Sequence, residues 1–244
     1  MEPYLPTLSP LSRATFTLAT LTSVYLIRRT NSDPNPPPPT TNSPVNPSLK
    51  KPDFLMTAGN ELTMRRHLSF VTSVGLYHAL LASLPPSERP TLCPAYNTPT
   101  VNAALFTWTR STATILLTLF AAGILRISAY TNLGPSFTFH ITKPAGLKTT
   151  GVHRYIRHPS YTAVFGVAIS MVLLLFRAEG VIGCWVSAPL AQVLEQAMVA
   201  WAVVVTPALF WVRVRDEEEF LARIFAEEWE GYCARTKRFV PGVF

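Results

Sequence analysis

The chain is poor in charge. Only 14% of its 244 residues are Asp, Glu, Lys or Arg, whereas soluble domains average about a quarter. Negative charge is the scarcer sign, with 14 acidic against 21 basic side chains and a formal net charge of +7. Length alone would suit one or two soluble domains; so little charge suggests instead one bundle of membrane helices. The basic excess does not point to nucleic acid, because the Lys and Arg residues flank apolar runs rather than forming a solvated face. Cysteine is also rare. Cys93, Cys184 and Cys233 are an odd number, widely spaced and without a CxxC, which argues against a disulfide framework or zinc site. They read as packing residues. His153 and His158 are five apart with prolines nearby, so no metal site is expected.

What the chain does have is apolar runs. They cover Ala14–Ile27 (with Leu11 just reaching span length), Leu68–Leu84, Val101–Leu125, Tyr161–Phe176 and Val181–Val212. A bilayer core needs about 20 helical residues, with roughly 17 to 25 tolerated. The first run has the basic pair Arg28-Arg29 after it, which reads as a retained anchor rather than a signal peptide. In the last, Pro189 and Glu195 mark a division and Pro207 predicts a kink. The reading is a span over Gln192–Val212, preceded by an interfacial piece at Val181–Leu190.

Loop charge supports this count. The stretches Arg28–Arg66, Arg126–Arg157 and Arg213–Arg238 together hold 17 Lys or Arg, while Arg13, Arg89, Arg110 and Arg177 make up the other 4. Cytosolic loops carry such an excess. The prediction is an all-α polytopic bundle of about five spans, with its last residues on the cytosolic side. The domain reading runs 1–29 as a membrane anchor, 30–66 as a Pro-rich cytosolic linker, 67–132 as membrane helices and 133–244 as a catalytic core. The linker contains 36-PPPP-39 and four further prolines between Thr30 and Pro52, a composition that favours extended chain. From Arg213 onward, Leu221, Ile224, Phe225, Trp229 and Tyr232 recur at helical spacing, predicting a cytosolic amphipathic helix.

Two polar clusters fall at one predicted membrane level. Arg157-His158-Pro159-Ser160-Tyr161 enters the fourth span, with Lys148, His153 and Arg154 just upstream; Arg213, Arg215, Asp216 and Glu217–Glu219 leave the fifth. Each alone has an ordinary reading. Arg and His anchor helix ends in headgroups, and Glu at a helix start complements the macrodipole. The short connection between the two spans makes them neighbours around one cavity.

The order and spacing of 133-LGPSFT-138, 147-LKTTGVHRYIRHPSYTA-163, 217-EEEFL-221 and 225-FAEEWEGYCARTKRFVP-241 resemble the isoprenylcysteine carboxyl methyltransferase family, among the membrane methyltransferases. The resemblance covers roughly the second half of the chain. It implies S-adenosyl-L-methionine as cofactor, held by Leu147, Lys148, His153, Arg157, His158, Pro159, Ser160, Tyr161 and Glu217. It also implies that Arg213 grips the substrate carboxylate, with Arg213 and Glu217 as the catalytic pair. The implied reaction methylates the carboxylate of a prenylated cysteine in CaaX-processed proteins, in the endoplasmic reticulum membrane, with lipid bilayer, no metal and no nucleic acid as partners. Three departures stand out: His153 takes a position where Tyr is usual, and Ala163 and Ala226 take positions where Gly is usual. Arg177–Glu195 is longer than the family core needs. Rival readings are a phospholipid N-methyltransferase, a sterol reductase with a similar His-Pro-x-Tyr entry, and a non-catalytic adaptor using the proline linker.

Overall fold

The computed structural model describes residues 9–32, 34–35, 61–137 and 144–242. Most of the proline-rich stretch, at 36–60, lies outside them. Six α-helices make up the described fold: α1 (Pro10–Thr30), α2 (Glu61–Ser83), α3 (Arg110–Leu133), α4 (Pro159–Leu175), α5 (Ala188–Ala200) and α6 (Thr206–Arg235). Among the described residues there is no strand beyond one isolated bridge between Ile156 and Lys237. The all-α reading holds. Two continuous helical stretches, Arg110–Ser136 and Ala188–Arg235, are long and apolar enough to cross a membrane, and Pro159–Leu175 is apolar but shorter.

Local chemistry sets the helix ends. Ser9 caps α1 by accepting the Ser12 N–H at 3.1 Å, with Pro10 in the first turn. Thr109 and Thr112 form a reciprocal capping box at the start of α3, which satisfies two amides that would otherwise lack partners. The third helix therefore begins at Arg110, not at Val101. Asn102 instead caps a short 3-10 turn over Ala103–Phe106.

The final helices also differ from the sequence reading. Pro189 sits in the first turn of α5, where its missing N–H costs nothing. Between α5 and α6 the backbone passes through a π-helical turn, Trp201–Val205. Pro207 cannot donate a backbone hydrogen bond, and the wider turn ahead of it absorbs that loss. The helix that bears Arg213–Glu219 is thus the continuation of the fifth apolar run. Glu217, Glu218 and Glu219 lie in mid-helix, so the helix-start explanation for that acidic run does not apply. The later break falls at Ala226, with φ 40° and ψ −113°.

Helices α1 to α4 share a core that includes Phe16, Leu81, Phe106, Leu116, Leu119 and Leu175. In lipid, burial of apolar surface does little to hold helices together, and close backbone approach matters more. Three glycines serve that approach. A Cβ at Gly75 would lie 2.4 Å from Val24 Cγ2, one at Gly123 3.3 Å from Leu26 Cδ1, and one at Gly166 2.8 Å from Ala122 Cβ. The last contact joins α3 to α4, the most extensively packed pair of helices.

At one end of the bundle a compact cap joins the α2–α3 and α4–α5 connections. Cys93 and Cys184 are disulfide-bonded, with Cα atoms 4.8 Å apart. This corrects the sequence expectation: the two cysteines are 91 residues apart in the chain, and only the stacking of two connections brings them together. Fully buried Arg89 donates to Tyr96 Oη at 2.7 Å and to the Leu84 carbonyl at 3.2 Å. Arg177 approaches Glu195 Oε1 at 3.5 Å, and Glu195 also accepts the Ala178 N–H at 2.8 Å. The lengthened Arg177–Glu195 stretch is therefore a folded part of this cap.

Candidate active site

At the other end of α4, a cavity of about 270 Å³ opens among α1, α3, α4, α6 and the loop before α4. The ten residues implied as cofactor- or substrate-binding line it, whereas Arg154, Arg215, Asp216, Glu218 and Glu219 of the two polar clusters do not. Leu147 and Lys148 come from the loop, the latter exposed; His153 follows, and Arg157 through Tyr161 lead into α4; Arg213 and Glu217 descend from α6.

The pairing of α4 with α6 is direct. The Tyr161 hydroxyl donates to Glu217 Oε2 at 2.9 Å, and Arg213 Nε donates to the same hydroxyl at 2.9 Å. Arg213 and Glu217 are four residues apart on one helix and therefore share a face. Tyr161 connects them across the gap. Arg213 is buried, whereas the Glu217 side chain is 33% exposed. His158 Nδ1 stands 4.0 Å from Glu217 Oε2. Phe210 packs against Tyr161, with ring centroids 5.1 Å apart.

Glu218, one residue on, faces away from Glu217 and gathers two guanidiniums and an imidazole. Its Oε1 accepts from Arg157 Nε at 3.0 Å and from His158 Nε2 at 3.2 Å; its Oε2 accepts from Arg238 Nη2 at 2.7 Å. Burial opposes its charged form, but the hydrogen bonds from His158 and Arg238, together with the charges of His158 and Arg157, hold its carboxyl at about 2. Arg157 also donates through Nη1 to the carbonyls of Thr236 at 2.6 Å and Cys233 at 3.3 Å. The chain after α6 closes over this cluster: Arg157 N–H donates to the Lys237 carbonyl at 2.8 Å, His158 N–H to Arg238 at 3.0 Å, and the Thr162 hydroxyl to Phe239 at 2.9 Å. Arg157 thus ties the wall of the cavity to the chain after α6.

The loop before α4 is shaped by Gly151, at φ +61°, where a Cβ would sit 2.4 Å from Asn132 Nδ2. Only glycine suits both the dihedral and the space. That approach lets His153 Nδ1 meet Asn132 Oδ1 at 2.8 Å, while the His153 carbonyl accepts the Tyr232 hydroxyl at 2.6 Å. Burial, then the charges of His158 and Lys148, lower the His153 ring to about 4, so it is neutral at pH 7. An imidazole in place of a phenol keeps a polar ring at the cavity wall.

Sequence reasoning missed four participants. Glu218 and Arg238 became visible only when two guanidiniums and an imidazole converged on one carboxylate. Asn132 was hidden at the end of an apolar helix. Arg126 was counted as loop charge, yet it lies in α3, is buried and lines the cavity. The readable signal was an Arg inside an apolar helix, where ionisable groups mark function or paired partners.

Residues 114–223 match the family model of the isoprenylcysteine carboxyl methyltransferase (ICMT) family. A protein-S-isoprenylcysteine O-methyltransferase of Dictyostelium discoideum is 26% identical over 125 residues, covering 49% of this chain and 45% of that protein. The chain thus spans just under half the length of this curated relative. The matched stretch runs from within α3 through α4 and α5 to Arg223 in α6, with the Tyr161–Arg213–Glu217 triangle inside it. In this stretch the chain is similar to the isoprenylcysteine carboxyl methyltransferase family.

Proposed function

We propose that the chain transfers a methyl group from S-adenosyl-L-methionine to the carboxylate of a prenylated cysteine, forming a methyl ester. The observation that carries this reading is the arrangement of Arg213 and Glu217 one helical turn apart on α6, joined through the Tyr161 hydroxyl inside a buried cavity.

The donor set fits such a cofactor. Among the described residues Glu217 is the carboxylate that lines the cavity, while Glu218 is turned to Arg157, His158 and Arg238. When bound, S-adenosylmethionine supplies an electrophilic methyl on a cationic sulfur. Glu217 balances that positive charge, and His158 and Tyr161 fix the carboxylate's direction. Arg213 presents a planar guanidinium, whose fork matches a carboxylate in two-point fashion. A carboxylate is already ionised near pH 7, so no residue has to remove a proton from it. The chain's task is alignment and exclusion of water, which can lower a barrier by several kcal/mol. Phe210 and Val164 give the cavity an apolar side. At about 270 Å³ the cavity is near the low end for small-molecule sites, roughly 300–1,000 Å³. A prenyl chain then extends beyond it, along helices that face lipid.

We place the protein in the endoplasmic reticulum membrane with about five spans. Its cavity and the α6 extension face the cytosol, within the division of anchor (1–29), linker (30–66), membrane helices (67–132) and catalytic core (133–244). The disulfide supports this orientation. Cys93 and Cys184 cap the end of α4 opposite the cavity, about 26 Å away by the rise of its 17 residues. Disulfides persist on the oxidising side of such a membrane, while 16 of 21 basic residues fall to the other side once Arg126, inside α3, is taken out of the 17 of the loop count.

The test uses membranes expressing the chain, labelled S-adenosylmethionine, and either N-acetyl-S-farnesylcysteine or an amine-headed lipid. Base-labile label on the farnesylcysteine, lost in Arg213→Ala while donor binding persists, is the expected result. Label on the amine lipid alone overturns the carboxylate reading in favour of N-methylation.

A further inference from the structure

We propose that Arg126 is a second carboxylate-binding residue of this cavity, an inference that rests on the methyl-transfer reading. Arg126 rises from α3 and is 6% exposed, and its guanidinium lines the cavity. All its hydrogen-bond partners are neutral. Nε donates to the Thr30 carbonyl at 2.7 Å; Nη1 donates to the Ser160 carbonyl at 3.0 Å and to Ser160 Oγ at 2.7 Å. Its carbon lies 4.8 Å from the centre of the Tyr130 ring. Among the described residues no carboxylate comes within ion-pair distance of it, and the neutral Tyr130 hydroxyl is a further hydrogen-bonding neighbour.

The other guanidiniums around the cavity are differently placed. Arg157 and Arg238 share Glu218, and Arg213 is anchored by Nε to the Tyr161 hydroxyl. A buried charge without a counter-charge is costly, so chains that keep one usually receive its partner from outside. The proposed reaction brings two carboxylates into one cavity: the amino-acid carboxylate of the methyl donor and the terminal carboxylate of the prenylcysteine. Arg213 can hold one. Arg126 is the buried cation left to meet the other, since Thr30, Ser160 and Tyr130 orient its guanidinium without neutralising it. The shared chemistry is a carboxylate, and the two sources are separable by experiment.

Purified full-length chain in detergent, wild type and Arg126→Gln, is titrated with two ligand pairs by calorimetry. One pair is S-adenosylhomocysteine and its decarboxylated counterpart. The other is N-acetyl-S-farnesylcysteine and its carboxamide. The expected result is a loss of about 10- to 100-fold for the carboxylate member of one pair, the scale of one charge-assisted interaction. Its uncharged partner should move less than about twofold. The pair that responds identifies the source. Equal weakening of both members of each pair shows a purely structural role and overturns the proposal, as does no change in either. If wild type binds none of the four ligands, the methyl-transfer reading itself fails, which is a different outcome. Should Arg126→Gln not fold, Arg126→Lys carries the same comparison, with its loss confined to the carboxylate ligands.

Discussion

Replacing Glu218 by Gln should loosen the whole cavity wall, although Glu218 is directed at none of the proposed reactants. Its carboxylate receives Arg157, His158 and Arg238 within 3.2 Å. Against burial, those hydrogen bonds and charges lower its carboxyl from an ordinary 4.5 to about 2. At 1.36 kcal/mol for each pKa unit the shift corresponds to about 3 kcal/mol; water reaches the half-open Arg238, so about 1–3 kcal/mol is the working range. The sign follows from linkage. A carboxyl held below its unfolded value stabilises the fold fully above pH 4.5, and that contribution disappears as pH falls through about 2. Glu218→Gln should therefore lower the melting temperature at pH 7 by roughly 3–10 °C and flatten the acid limb between pH 4.5 and 2. Because Arg157 and His158 lose their anchor, donor affinity should fall as well. The assay is thermal unfolding in detergent across pH, with donor binding in parallel. A variant with wild-type melting temperature and an unchanged acid limb would refute the hub role.

Three further outcomes follow from local geometry. Ala226 holds φ 40°, a conformation suited to glycine; Ala226→Gly should stabilise the chain by about 1 kcal/mol, and a lowered melting temperature would count against that backbone. His153 is neutral when folded, with its ring lowered to about 4. Its contribution is complete above the unfolded value of 6.5 and lost as pH falls through about 4, so His153→Gln should make stability less acid-sensitive between those values. In a Cys233→Ala background, which removes the free thiol of the α6 extension, Cys93→Ala should cost about 2–4 kcal/mol of stability and free the Cys184 thiol, which in sealed membrane vesicles should react with an impermeant maleimide from the lumenal side alone. Labelling from the cytosolic side would reverse the proposed orientation.

The site was largely legible in the sequence because its chemistry is concentrated in two short ionic stretches bordering apolar runs. Arg157–Tyr161 and Arg213–Glu217 converge as the spacing implied, since an antiparallel return of α5 and α6 brings the exit of one run to the entry of the other. The stretches were less legible where role depends on partner. Glu217 and Glu218 are adjacent and chemically identical, yet helical rotation points one at Tyr161 and the cavity and the other at Arg157, His158 and Arg238. The acidic run looked like helix-start decoration because the sequence does not show that α6 continues from α5 through a π turn. Arg126 looked like a loop charge because α3 begins at its Thr109 capping box and runs nine residues later than the apolar pattern suggested.

Composition and patterning by themselves determined the helical class and the low-charge bundle, while the residues lining the cavity were picked out by their resemblance to a family motif. They suffice because hydrophobic periodicity and charge asymmetry are local properties of the chain. The tertiary structure alone decided the Cys93–Cys184 bond, the split duties of Glu217 and Glu218, and the placement of Arg126 between Thr30 and Ser160. Each of these depends on groups far apart in sequence meeting at distances of a few ångströms, and only packing sets such distances.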